Sequence, residues 1–272
     1  MSLTHEKNEY AIPRGRVYFD PFDANQLPTG EIYLGNCPGF TLQVETEKAE
    51  HYSSEEGLRE KDEALVVQVN RTGNVTCDNF SADNLALFLS GAKSTTNQAA
   101  ATIAGEAHSV GGGLYYQLGE TNDNPSGARD VTDIVVKSAD GATTYDVGDD
   151  YNVDPALGRV QIVKGGAIDI AAAAAPSKRV GVSIGYKTTA RAWTRVTTGS
   201  KTELSGRMRV VASNASGTNR DWFMPKVTLT PSGEIPVIAE GTEFVQMQFG
   251  LEVLKAANTQ AVYVDGRGAS IP

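Results

Sequence analysis

The residue types most able to hold a metal or carry redox chemistry are few in this chain. His5, His51, His108, Cys37 and Cys77 complete the inventory of histidine and cysteine. No two of them have the spacing of a zinc knuckle, a CxxC pair or an HExxH helix, so neither a structural metal nor a thiol redox centre is expected. Asp150-Tyr151-Asn152-Val153-Asp154 matches the first five places of a calcium loop. The match ends at Pro155, where the sharp turn needs glycine, and at Gln161, where a bidentate glutamate would close the shell, so a β-turn with solvated aspartates is expected there. Gly91-Ala92-Lys93-Ser94 lacks the Gly-Lys adjacency and the second glycine of a phosphate loop. Gly111-Gly112-Gly113 leads into Leu114-Tyr115-Tyr116, which reads as strand; tight backbone packing is expected rather than an anion cradle.

Nucleophilic catalysis needs a nucleophile, a base within hydrogen-bond reach and a group that orients the base. No G-x-S-x-G turn is present, and His51 stands in an acidic stretch beside Glu50, Ser53 and Ser54, where a solvated or interface role is expected. Glu55-Glu56 and Asp149-Asp150 are adjacent carboxylates, which on a strand point to opposite faces and share no substrate. Three sequons at Asn70, Asn74 and Asn79 lie close together, but the N-terminal stretch has charge where a secretory signal needs an apolar run. With no apolar stretch of membrane-spanning length, a soluble protein made and used without crossing a membrane is expected. No catalytic, cofactor or metal residues are assigned.

The elements that would position these residues repeat with period two. Val245, Met247, Phe249, Leu251 and Val253 alternate with polar residues across Thr242 to Leu254, which predicts a strand with one buried face. Phe40, Leu42 and Val44, then Leu65, Val67 and Val69, then Val180, Val182, Ile184 and Tyr186 repeat the pattern. Thr72-Gly73-Asn74, Asp140-Gly141, Gly165-Gly166 and Pro231-Ser232-Gly233 read as the turns between such runs. One short helix is predicted over Ser81 to Gly91, with Ser81 as cap, Leu85, Phe88 and Leu89 as its apolar stripe and Gly91 as the left-handed stop. Ala92 to Gly105 and the alanine run Ala171 to Ser177 read as weakly ordered. Residues 119–170 then form a β-rich insertion, or extra strands of the main sheets, between core segments 1–118 and 171–272.

At 272 residues the chain can bury a sizeable core, and 24 Lys+Arg against 33 Asp+Glu give a net charge of −9. Such a balance repels phosphate backbones unless the cations are segregated, so stable duplex binding is not expected. The charge is in fact uneven. Residues 45–63 carry eight acids against Lys48, Arg59 and Lys61, whereas 178–209 carry eight bases and only Glu203. Either these are solvated faces of separate strands, or acidic and basic surfaces meet between identical subunits.

The order of segments resembles the bacteriophage major tail tube proteins. The resemblance rests on GRVYFDPF, then Gly30-Glu-Ile-Tyr-Leu-Gly-Asn36 and the strand from Phe40 to Glu45, the charged loop Glu50 to Asp62, and the helix Asp83 to Gly91. In the second half it rests on Leu204-Ser-Gly-Arg-Met-Arg209, on Phe223 to Glu234 and on the Phe244 to Lys255 strand. It implies an all-β fold of two packed antiparallel sheets with one short flanking helix; between a contractile and a non-contractile tail, the size of the chain and its possible outer decoration lean to the non-contractile, siphophage type. It also implies a structural role without catalytic residues or cofactors: hexameric rings stacked into a tube through which genomic DNA passes, in a virion tail assembled in the host cytoplasm. Tail tip or baseplate, tape-measure and tail-terminator proteins would be its partners, with only transient, non-specific DNA passage and no membrane. On this view residues 119–170 face outward. The charged loop, through Glu50, His51, Ser53, Ser54, Glu55, Glu56, Arg59, Lys61 and Asp62, contacts the next ring, while Arg191, Arg195, Arg207 and Arg209 form a basic surface between subunits. Two rivals share the strand pattern: a carbohydrate- or surface-binding β-sandwich presenting Tyr115, Tyr116, Trp193 and Trp222, and a ring-forming tube protein of a secretion system.

Overall fold

A computed structural model describes residues 9–55, 57–199 and 203–267, so His5, Glu56 and Lys201 fall outside the described residues. The chain is all-β, and its strands are antiparallel within their sheets. In chain order they begin with β1 (Gly15–Pro21), β2 (Ile32–Tyr33), β3 (Gly39–Ser53) and β4 (Glu60–Cys77), followed by the helix α1 (Ala82–Phe88). Next come β5 (Ala92–Gln98), β6 (Ala101–Val110), β7 (Tyr115–Gln117), β8 (Val131–Ser138), β9 (Tyr151–Asp154) and β10 (Arg159–Ile162). The helix α2 (Ala167–Ala174) precedes β11 (Val180–Thr188), β12 (Arg191–Thr197), β13 (Leu204–Ala212), β14 (Arg220–Ser232), β15 (Met247–Val253) and β16 (Tyr263–Gly266).

The chain divides into two compact units, one running to Ser94 and resuming at Arg195, the other Thr95–Thr194. In the first, eight strands form one sheet in the order β2-β1-β13-β14-β15-β4-β3, with β16 pairing the N-terminal half of β14 beside β15. The alternation in β15 is realised as read: Met247, Phe249, Leu251 and Val253 are buried, joined by Phe19, Met208, Met224 and Val227. Helix α1 closes this core with Leu87, and Phe88 meets Phe249 edge-on at 5.9 Å. Ser81 caps it, its Oγ accepting from Asn84 N at 3.2 Å. The left-handed stop is Ser90 (φ 48), one residue earlier than expected. Gly91 serves close packing instead, since a Cβ there would lie 1.9 Å from Thr197 O.

The second unit surrounds its own core of Val110, Leu118, Val136, Tyr151, Ile162, Ile168 and Ile184. Two three-stranded sheets, β7-β10-β9 and β6-β11-β8, supply it. Residues 119–170 lie within this unit but do not complete it: β6 and β11, assigned on sequence to the main core, belong to the same sheet as β8. Ala92 to Gly105 is likewise strand rather than weakly ordered. Its small residues bury little, and what fixes β6 is register against β11, where Ala101 stands opposite Thr188 and Val110 opposite Val180. The alanine run is the end of a helix that starts at Ala167, four positions before the run, and docks through the fully buried Ile168; tertiary burial supplies what a lone alanine segment lacks. A second helix therefore joins the expected one.

Two further readings need correction in the first unit. Thr72-Gly73-Asn74 is no turn but the interior of β4, with Gly73 opposite Leu42 on one side and Leu251 on the other. A Cβ at Gly73 would meet Thr41 O at 2.2 Å, so the glycine permits close approach of β3. The charged loop Glu50 to Asp62 is mostly strand: β3 and β4 stay paired out to Ser53 opposite Glu60.

Candidate functional site

Beyond Gln43 and Thr72 the β3–β4 hairpin leaves the buried core and runs on as a two-stranded arm with almost every side chain exposed. Its polar tip is stitched across the strands. Lys61 pairs with Glu50, Tyr52 OH donates to the other Glu50 oxygen at 2.9 Å, and His51 Nδ1 lies 2.6 Å from Asp62 Oδ1. The Arg59 guanidinium sits 5.3 Å from the centre of the Tyr52 ring, and Ser53 Oγ accepts from Glu55 N. The bond from Lys61, then that from Tyr52, holds the Glu50 carboxyl below its ordinary range, and His51 does the same for Asp62. Apart from Glu56, which lies outside the described residues, the residues expected to meet another ring are thus gathered at one tip, where Glu50, His51, Arg59, Lys61 and Asp62 have partners on the same hairpin.

The apolar residues of the arm are the part sequence reasoning missed. Val44, Leu65, Val67 and Val69, read as members of buried faces, are 57%, 63%, 56% and 42% exposed. Alternation reports that a strand has an apolar face, not that its own chain covers it. Strand β3 also ends the sheet, so among the described residues no strand lies beside the backbone groups along its outer side. Glu45, Glu47, Lys48 and Glu50 place charge along this edge, which disfavours indiscriminate strand pairing.

The four basic residues are divided between the two units. Arg191 is in the second unit, bonded through Nε to Asp130 Oδ2 at 2.9 Å, while Arg195 begins the returning half of the first unit. Arg207 and Arg209 project from β13 on the side opposite the buried Met208, as alternation requires. Arg207 grips Asp20, which is only 1% exposed and also accepts from Thr29 N at 2.9 Å and Gly30 N at 2.7 Å. Burial by itself would raise the Asp20 carboxyl; the Arg207 bond and the two amides outweigh it and hold the group below its ordinary range. Arg209 bonds Glu31 at 2.7 Å and lies 4.7 Å from the centre of the Phe223 ring. These three cations are neutralised within the chain.

In the second unit a hollow of about 540 Å³ is lined by Tyr115, Tyr116, His108, Arg129 and Arg159, among others. Arg159 covers the Tyr115 ring at 4.7 Å, and Arg129 lies 5.8 Å from the centre of the Trp193 ring. His108 of the lining pairs at 2.9 Å with Glu106, which also accepts from Tyr186 OH at 2.6 Å and Gly119 N at 2.9 Å. Burial would raise the Glu106 carboxyl, but those partners keep it below its ordinary range. Trp222, in β14 of the first unit, is not part of this set. Gly112 packs closely on a side chain rather than on backbone: a Cβ there would sit 1.9 Å from the Asp169 carboxylate.

The calcium-like segment is strand rather than the expected β-turn: Tyr151–Asp154 is β9, paired with β10. Asp150, expected to be solvated, is buried, its two oxygens accepting from Asp146 N at 3.0 Å and Ala167 N at 2.7 Å. Among the described residues no cluster of three His, Cys, Asp or Glu side chains is placed to hold a metal, and no helix is long and apolar enough to cross a membrane. No curated protein matches the chain. Residues 10–263 match the family described as "Protein of unknown function UCP028589", which covers nearly the whole sequence, and the chain belongs to that family.

Proposed function

We propose that the chain is a structural subunit that assembles through its β3–β4 arm into stacked hexameric rings, forming a tube of the kind made by phage major tail tube proteins. The observation that carries this reading is the arm: a long hairpin with exposed Val44, Leu65, Val67 and Val69 at a sheet edge that no strand among the described residues pairs. A free subunit leaves that surface in water at a cost, whereas copies that lay their arms against neighbours bury it and extend the sheet. The internal pairing of Arg207 and Arg209 supports a conduit role, because cations already neutralised offer passing phosphates little to grip. In this reading the protein is not an enzyme, assembles in a host cytoplasm and resides in a virion tail with tip, tape-measure and terminator proteins. A secretion-system tube would share the same arm-mediated assembly.

Negative-stain microscopy of the purified chain tests the proposal: rings or tubes of uniform diameter are expected. A chain that stays monomeric across concentration and salt overturns it. A second reading draws on the hollow of the second unit, where Tyr115, Tyr116 and Arg159 offer the aromatic and cationic surface of a carbohydrate-binding module. Retention of a monomer on a glycan column, abolished by Tyr115→Ala, would favour that module.

A further inference from the structure

Cys37 and Cys77 are 40 positions apart in the chain, yet their sulfurs lie 3.1 Å from each other. The approach is enforced from both sides. Gly39 pairs with Thr76 at the base of the β3–β4 hairpin, and just outside it Asp78 N donates to Asn36 O at 3.1 Å while Asn36 Nδ2 donates to Asp78 Oδ2 at 2.6 Å. Both residues are free thiols; Cys77 is buried in the core of the first unit and Cys37 is half-buried against it. A disulfide needs its sulfurs at about 2.05 Å, so closing the gap takes a shift of about 1 Å by two side chains on a backbone already clamped at this point.

We infer that Cys37 and Cys77 are a modification site, a dithiol that a low-molecular-weight disulfide such as oxidised glutathione converts into an intramolecular cross-link across the base of the arm. Cys37, the more exposed sulfur, loses its proton and attacks one sulfur of oxidised glutathione. The glutathione S–S bond breaks, and one glutathione leaves as a thiol carrying that proton. Cys77 then attacks the Cys37 sulfur of the mixed disulfide and expels the second glutathione, which takes up the Cys77 proton. Two protein thiols are oxidised by two electrons in all, and one glutathione disulfide is reduced to two thiols. The bond from Cys37 and burial both push the Cys77 thiol up, so Cys37 makes the first attack, and Cys77 reacts in the second step because its sulfur is already held beside the mixed disulfide. The cross-link closes a long loop that contains the whole arm, and so restricts the unfolded chain more than the folded one. This inference rests on the sulfur geometry and does not depend on the tube reading.

The test uses the full chain, treated with millimolar oxidised glutathione, then unfolded, alkylated and mapped by mass. The expected product is a monomer lighter by two hydrogens, with neither cysteine alkylated, the two cysteine peptides joined, and Tm raised by about 5 °C or more until a reductant is added. Cys77→Ala should stop at the intermediate and retain one glutathione on Cys37. Glutathione retained on Cys37 of the unsubstituted chain with Cys77 still alkylated, cross-linked dimers, or two fully alkylated thiols after prolonged treatment would each overturn the proposal.

Discussion

Leu65→Thr combined with Val67→Thr separates assembly from folding. Both residues are more than half exposed, so threonine, which keeps the branched β-carbon that strands favour, should leave the stability of a single subunit within about 0.5 kcal/mol. If copies of the chain cover the arm, each residue instead loses about 1–2 kcal/mol of apolar burial at the contact. The critical concentration for assembly should then rise at least about tenfold. Sedimentation velocity over a concentration series gives that threshold, and thermal unfolding of dilute protein gives the stability of the subunit. Assembly at the unsubstituted threshold would refute the burial of Leu65 and Val67. A large drop in the melting temperature of the dilute subunit would refute their exposure.

Arg207→Ala should destabilise the first unit by about 2 kcal/mol, read by denaturant unfolding, because Asp20 stays buried and keeps only the amides of Thr29 and Gly30. The depressed Glu106 carboxyl contributes stability above its ordinary value of 4.5, lost as pH falls through the lower folded value. The melting temperature of the second unit should therefore drop on acidification below about pH 4.5, and Glu106→Gln should flatten that part of the profile. Gly73→Ala should cost about 2 kcal/mol or more, since the added Cβ meets the Thr41 carbonyl oxygen rather than a movable side chain; hydrogen exchange at the base of β3 and β4 should quicken with it.

The sequence was most readable where local pattern and tertiary burial agree. Met247 to Val253 alternates and is buried in alternation, Ser81 caps α1, and Asp140-Gly141 is a turn with Gly141 at φ 75. It misled where one local pattern serves two physical ends. Leu65, Val67 and Val69 look like a core strand because a face awaiting a partner has the same composition as one already covered. Gly73 looks like a turn because close strand approach and left-handed backbone select the same residue. Ala92 to Gly105 and the alanine run carry weak local signals, and partners far along the chain, β12 and β11 for one and the core around Ile168 for the other, decide their structure. The candidate residues of the arm tip were legible as a charged cluster, but their mutual pairing depends on the register of β3 against β4. The Cys37–Cys77 contact was hidden for the same reason: only the hairpin brings them together.

A cryo-electron map of the assembled protein tests the account most directly. It should show stacked six-fold rings in which each β3–β4 arm lies against a neighbouring copy, with Leu65 and Val67 covered and the β3 edge paired or capped. A preparation that yields only monomers, or an assembly whose arms stand free in solvent, would contradict it.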